Sequence, residues 1–101
     1  MPELAGYQRK YLRSIAHGMD PQVHVGQSGL SPNLLSTVEE ALLKHELIKV
    51  RFVAFKEHRK AIAAELAQEA GAELVGLLGA TALYFRAHPE AGKRKLEIPQ
   101  R

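Results

Sequence analysis

The sequence predicts an α/β chain, an α+β two-layer sandwich with the order α-β-α-β-α-β-β and a mixed four-stranded sheet. Three observations lead there. Apolar residues recur at helical spacing in three segments, 4–17, 32–45 and 57–70. Shorter runs of strand length, 22–25 and 47–55, lie between them. Two further runs, 74–78 and 81–86, meet at Gly79-Ala80 in the pattern of a hairpin. Strand-helix-strand units favour right-handed parallel crossovers, and a closing hairpin adds an antiparallel edge, so the sheet is expected to be mixed.

The first helix, 4–17, places Leu4, Tyr11, Leu12, Ile15 and Ala16 at helical spacing, and Gly18 followed by Asp20-Pro21 stops it. Arg9, Lys10 and Arg13 fall at i, i+1 and i+4, which gathers three cations on one outer face. A short strand, 22–25, then feeds the stretch Val25-Gly26-Gln27-Ser28-Gly29-Leu30-Ser31-Pro32. Ser31 is a good N-cap and Pro32 suits the first helical position, where a missing N–H costs nothing. The helix from Pro32 to His45 carries Leu34, Leu35, Val38, Ala41 and Leu42 along one side, with Glu40 and Lys44 paired on the other.

From Leu47 to Phe55 the residues alternate: Ile48, Val50 and Phe52 point one way, Lys49, Arg51 and Val53 the other. That pattern describes a half-buried strand with two cations on its open face. The third helix, 57–70, turns Ile62, Ala63, Leu66, Ala67 and Ala70 inward, carries Glu65 and Glu69 outward, and stops at Gly71. An acidic outer face repels a polyanion, so this helix is expected to face away from one. From about residue 88 the chain holds Pro89, Gly92, Lys93, Arg94, Lys95 and Arg101 and reads as a mobile basic tail. No internal repeat or linker interrupts the 101 residues, so one domain is expected over 1–101.

Composition narrows the function classes. The chain has no cysteine, which excludes disulfides, thiolate metal sites and cysteine nucleophiles and fits a reducing, cytoplasmic setting. No stretch reaches the ~18 apolar residues of a membrane span. With 14 Lys and Arg against 11 Asp and Glu, the net charge of +3 favours a polyanionic partner. The five histidines show no H-x-x-x-H or H-E-x-x-H spacing, so no metal is expected. Neither Glu39 and Glu40 nor Glu65 and Glu69 resembles two carboxylates held across a cleft. No catalytic residue, cofactor or small-molecule substrate is expected.

The glycine loop carries the remaining information. Gly26 and Gly29 bracket two small polar residues just before a helix N-terminus, where free N–H groups and the positive end of the helix dipole suit a phosphate. One reading is a tight turn that needs glycine for geometry alone. The other is a clamp on nucleic-acid backbone, of the kind a KH-type G-x-x-G loop makes. The spacing matches neither a nucleotide-binding phosphate loop nor a dinucleotide fingerprint, and Leu30 stands where a nucleophile elbow needs glycine.

Several segments together resemble a known family. They are Tyr11-Leu12-Arg13-Ser14-Ile15-Ala16-His17, the loop Val25-Gly26-Gln27-Ser28-Gly29-Leu30-Ser31, the junction His45-Glu46-Leu47-Ile48-Lys49-Val50-Arg51, and the hairpin Leu78-Gly79-Ala80-Thr81-Ala82-Leu83-Tyr84-Phe85-Arg86. The order and spacing are similar to the CRM domain (chloroplast RNA splicing and ribosome maturation), in particular its stand-alone bacterial YhbY type. The resemblance implies an RNA-binding domain with a fold like the C-terminal domain of bacterial initiation factor three, associated with precursors of the large ribosomal subunit. By position, Gly26, Gln27, Ser28 and Gly29 would meet RNA backbone, and Arg9, Lys10 and Arg13 would supply flanking charge. Lys49 and Arg51 on the open strand face and Arg86 after the hairpin complete the expected RNA-binding set. The family commonly has lysine after the hairpin glycine; Ala80 stands there, which removes one cation. The expected function is therefore non-enzymatic RNA binding in ribosome assembly. The alternative is a protein–protein adaptor on the assembling ribosome in which the loop is only a turn.

Overall fold

The structure, a computed structural model, describes residues 4–55 and 57–99. Its elements are α1 (Gly6–Ala16), β1 (Val23–Val25), α2 (Pro32–His45), β2 (Leu47–Phe52), α3 (Arg59–Ala70), β3 (Glu73–Leu78) and β4 (Thr81–Phe85), followed by a 3₁₀ turn at Ala91–Lys93. The expected order of elements is thus observed, and α2 has the expected bounds. Ser31 caps that helix as its chemistry suggests, its side chain accepting from the Leu34 N–H at 3.2 Å. β2 ends three residues early because the chain turns away at Phe55, which holds a positive φ of 59°.

The four strands stand in the order β1-β2-β4-β3. β1 runs parallel to β2, and β4 runs antiparallel to both β2 and β3. The closing strand therefore inserts between β2 and β3, which leaves those two parallel to each other with a helical crossover between them. The mixed sheet is the expected one.

Strand alternation divides the apolar residues between two faces. Val23, Val25, Ile48, Val50, Phe52, Ala82 and Tyr84 pack with Val38 and Leu42 of α2 and Ala63 and Leu66 of α3. Leu47, Val75 and Phe85 pack on the other side with Leu12 and Ala16 of α1. Helices thus lie on both faces, where a two-layer sandwich would have one helical layer. The cause is visible in β2, whose Leu47 is buried on the face opposite to Ile48, Val50 and Phe52. α1 covers one half of its face and leaves the half beyond Lys49 open.

Tyr84 is the largest fully buried side chain; burial pushes its phenol pKa well up, and its hydroxyl donates to the Ala63 carbonyl at 2.8 Å. Removing that hydroxyl in Tyr84→Phe is expected to cost about 1 kcal/mol. A melting point lower by roughly 4–8 °C in calorimetry checks it.

The segment from His88, expected to be mobile, is laid along the domain. The backbone amides of His88, Lys95 and Leu96 donate to the Glu46 carboxylate. Leu96 and Ile98 pack against the α1-side core, and Gln8 Nε2 donates to the Pro99 carbonyl at 3.2 Å. A buried acceptor and an apolar seat together hold residues whose composition alone reads as solvent-loving. Arg101, assigned to this tail, lies outside the described residues.

Candidate nucleic-acid interface

The glycine loop sits at the C-terminal end of β1, on the end of the sheet where β2 finishes and the β3–β4 hairpin turns. Gly26 to Gly29 form a turn closed by the Gly29 N–H donating to the Gly26 carbonyl at 3.0 Å. The two glycines differ. Gly29 has φ +63°, and a Cβ there would meet the Phe55 ring at 3.4 Å. Gly26 has no positive φ and nothing within 4 Å of a built Cβ. Local geometry therefore accounts for Gly29 and leaves Gly26 unexplained. Gln27 and Ser28 at the tip are exposed, and no hydrogen bond among the described residues engages their backbone amides. The turn projects from the N-terminal end of α2, so these amides add to the positive end of that helix.

The cations assigned to the site separate into two groups. Arg51 is exposed on the open sheet face, with no bond or ion pair among the described residues. It stands in one cross-strand row with His24 of β1 and Thr81 of β4, and Leu78 of β3 continues that row. One step further from the loop, Lys49 lies opposite Leu83, and Leu83 opposite Gly76. Lys49 Nζ donates to the Met19 carbonyl at 2.8 Å and so also ties down the exit of α1. Arg13 reaches the same row from α1: its stem crosses Gly76, where a Cβ would approach its Cδ to 3.1 Å.

The others lie elsewhere or are occupied. Arg9 Nη1 donates to the Leu4 carbonyl at 2.5 Å and stands 3.9 Å from the Glu73 carboxylate, at the end of the sheet away from the loop. Lys10 is exposed on α1. Arg86 follows β4 at that same far end, where it grips both oxygens of Glu39 at 2.7 and 2.6 Å and also donates to the Ala70 carbonyl. Its hydrogen bonds hold the Glu39 carboxyl below its ordinary pKa. Arg86 thus joins α2 to the end of α3.

Between α1 and the open half of the sheet lies a cleft of about 600 Å³, lined by Arg13, Ala16, His17, Lys49, Gly76, Leu77, Leu78, Thr81 and Leu83. No carboxylate lines it. Glutamates gather on the α2–α3 side, where Glu39, Glu40 and Glu69 border a separate groove of about 440 Å³. The acidic face of α3 thus turns away from the cleft, as its sequence suggested. The sequence reading did not single out His17, His24, Gly76, Thr81 or Leu83. Alternation signals which face Thr81 and Leu83 occupy, but nothing local signals the strand register that sets them beside Arg51 and Lys49.

Among the described residues, no group of three His, Asp or Glu side chains is placed to hold a metal ion, and no helix is long and apolar enough to cross a membrane.

The chain is 37% identical over 92 residues to a protein of Pseudomonas aeruginosa named a probable RNA-binding protein, covering 90% of this chain and 88% of that one. It is 32% identical over 102 residues, the full length of both, to a Haemophilus influenzae protein named RNA-binding protein. The solution structure of a hypothetical Staphylococcus aureus protein superposes with a TM-score of 0.77 at 32% identity, covering 96% of this chain and all of that one. The model of the CRS1 / YhbY (CRM) domain matches residues 4–86. The chain described here belongs to the CRS1 / YhbY (CRM) domain family.

Proposed function

We propose that this protein binds RNA without catalysing a reaction on it. Its target is ribosomal RNA in precursors of the large ribosomal subunit, whose assembly in the cytoplasm it assists. The observation that carries RNA binding is the joining of the Gly26–Gly29 turn to Arg51 and to a cleft without a carboxylate in its lining, where Arg13 and Lys49 stand. Relatives that match 90% and 100% of the chain, one named a probable RNA-binding protein and the other an RNA-binding protein, support it. The ribosomal target is taken from the family resemblance. Backbone amides of the turn and the guanidinium of Arg51 hold phosphates, while Lys49 and Arg13 extend the positive track over the cleft.

A salt series of binding to large-subunit ribosomal RNA fragments tests this. If roughly four phosphates are held, the logarithm of affinity is expected to fall with a slope of about −3 against the logarithm of salt. Arg51→Glu, a change at an exposed position, is expected to reduce that slope by roughly one while circular dichroism stays native. The second reading, an adaptor that docks a basic protein segment, is favoured by the groove of Glu39, Glu40 and Glu69. A flat salt response together with indifference to Arg51→Glu would decide for the adaptor.

A further inference from the structure

The cleft beside α1 has more shape than a phosphate track requires. Phosphates are held by exposed cations and amides, yet the lining here includes Ala16, Gly76, Leu78 and Leu83, with the backbone of Leu77, whose side chain packs on the opposite face. The recess exists for identifiable reasons. β3 carries an irregularity between Leu74 and Gly76, and Gly76 contributes no side chain where its row faces Leu83. α1 ends at Ala16, so no helix covers the sheet beyond that row. Leu78 at the mouth is 86% exposed, and Val53, beside the loop end of β2, is 62% exposed. A largely apolar recess whose charged lining residues are the cations Arg13 and Lys49 suits a flat group attached to an anion.

We infer that the cleft is a seat for one unpaired nucleobase, so the RNA recognised carries a bulge or loop nucleotide held out of its stack. This rests on the RNA-binding reading above and names its ligand class. The volume of about 600 Å³ falls in the range of small-ligand sites and accommodates a nucleotide. Arg13, whose stem lies over Gly76 and whose Nη1 donates to the Val75 carbonyl at 3.5 Å, holds a guanidinium at the wall, where its face can stack on a base. The Thr81 hydroxyl and the His17 ring offer polar partners for the base edge. The loop is at a workable distance. Gly26 stands one residue beyond the Val25–Phe52 pair, and Leu83 lies opposite Lys49, two strands across. Strand spacings make that separation about 16 Å, the reach of a few nucleotides of unpaired chain. A continuous A-form duplex keeps its bases inside the helix and could present only phosphates to this face.

The test uses a hairpin RNA with 2-aminopurine in a three-nucleotide bulge, beside the same hairpin fully paired, with the full chain and with Thr81→Trp. An indole on β4 fits a strand and fills the mouth of the cleft. The expected results are a rise in 2-aminopurine emission on binding, since the base leaves its stack and no Phe, Tyr or Trp lines the cleft, and roughly tenfold tighter binding of the bulged RNA. Thr81→Trp is expected to abolish both while keeping the weaker, salt-dependent binding of the paired RNA. Equal affinity for the two RNAs with unchanged emission of the wild-type complex overturns the base seat and leaves the phosphate grip standing. Failure of wild type to bind either RNA overturns the RNA-binding reading itself. The emission change is read on wild type, so the outcome does not depend on the variant folding.

Discussion

Gly26→Asp is expected to weaken RNA binding by about tenfold to a hundredfold with no change in melting temperature. The separation of the two effects follows from the backbone. Gly26 does not need a positive φ, and a Cβ there touches nothing within 4 Å, so the folded state accepts a side chain at no steric cost. What the substitution changes is the space outside the turn, where it sets a carboxylate against an approaching phosphate. A charge-assisted hydrogen bond lost at that point is worth about 1.5–3 kcal/mol, which is the stated range of affinity. Gly26→Ala separates bulk from charge: a loss with alanine alone means that RNA backbone approaches within van der Waals contact. Gly29 is a poorer probe. Its φ of +63° and the Phe55 ring at 3.4 Å mean that any side chain strains the fold before RNA is added. Fluorescence anisotropy with calorimetry on the same samples gives both numbers, and undiminished binding by folded Gly26→Asp would reduce the loop to a turn.

Glu46→Ala is expected to destabilise the protein by about 3 kcal/mol, a fall of roughly 12–24 °C in melting temperature. Glu46 is the buried charged residue of the described core, 1% exposed, and it closes α2 at a positive φ of 64°. Burial by itself raises the pKa of such a carboxyl. The amides of His88, Lys95 and Leu96 that donate to it outweigh that, and the net pKa lies below the ordinary glutamate value. The sign for pH follows. A depressed folded-state pKa gives stability that is fully present above the unfolded value, near pH 4, and lost as pH falls through the folded value. Wild type is therefore expected to lose an increment of stability below about pH 4 that Glu46→Ala lacks. Hydrogen exchange of the Lys95 and Leu96 amides reports the same contact, and slow exchange in the variant would show that the carboxylate does not hold the tail. Glu46→Gly, which relieves the positive φ but also removes the acceptor, is expected to recover part of the stability and none of the protection.

Much of this molecule is legible locally. Helical spacing located three helices, Ser31-Pro32 marked the start of α2, and the alternation of Lys49 and Arg51 with Ile48, Val50 and Phe52 predicted a strand with one open cationic face. Those signals survive because each depends on residues within a turn or two of one another. The glycine loop was visible too, but not the difference between its glycines, since the Phe55 ring that lies over Gly29 comes from another segment.

What the sequence by itself determined was the list of elements, the burial of their apolar faces and the family resemblance. Only the tertiary structure decided which cations remain available. Arg86 meets Glu39 across 47 residues, Lys49 meets Met19 across 30, and the Glu46 carboxylate meets the tail across 42 to 50. Periodicity tells a side chain which way to point from its own strand or helix. It does not say what the register and crossovers will bring opposite, and that opposition separates an exposed Arg51 from a consumed Arg86 and opens the cleft beside α1.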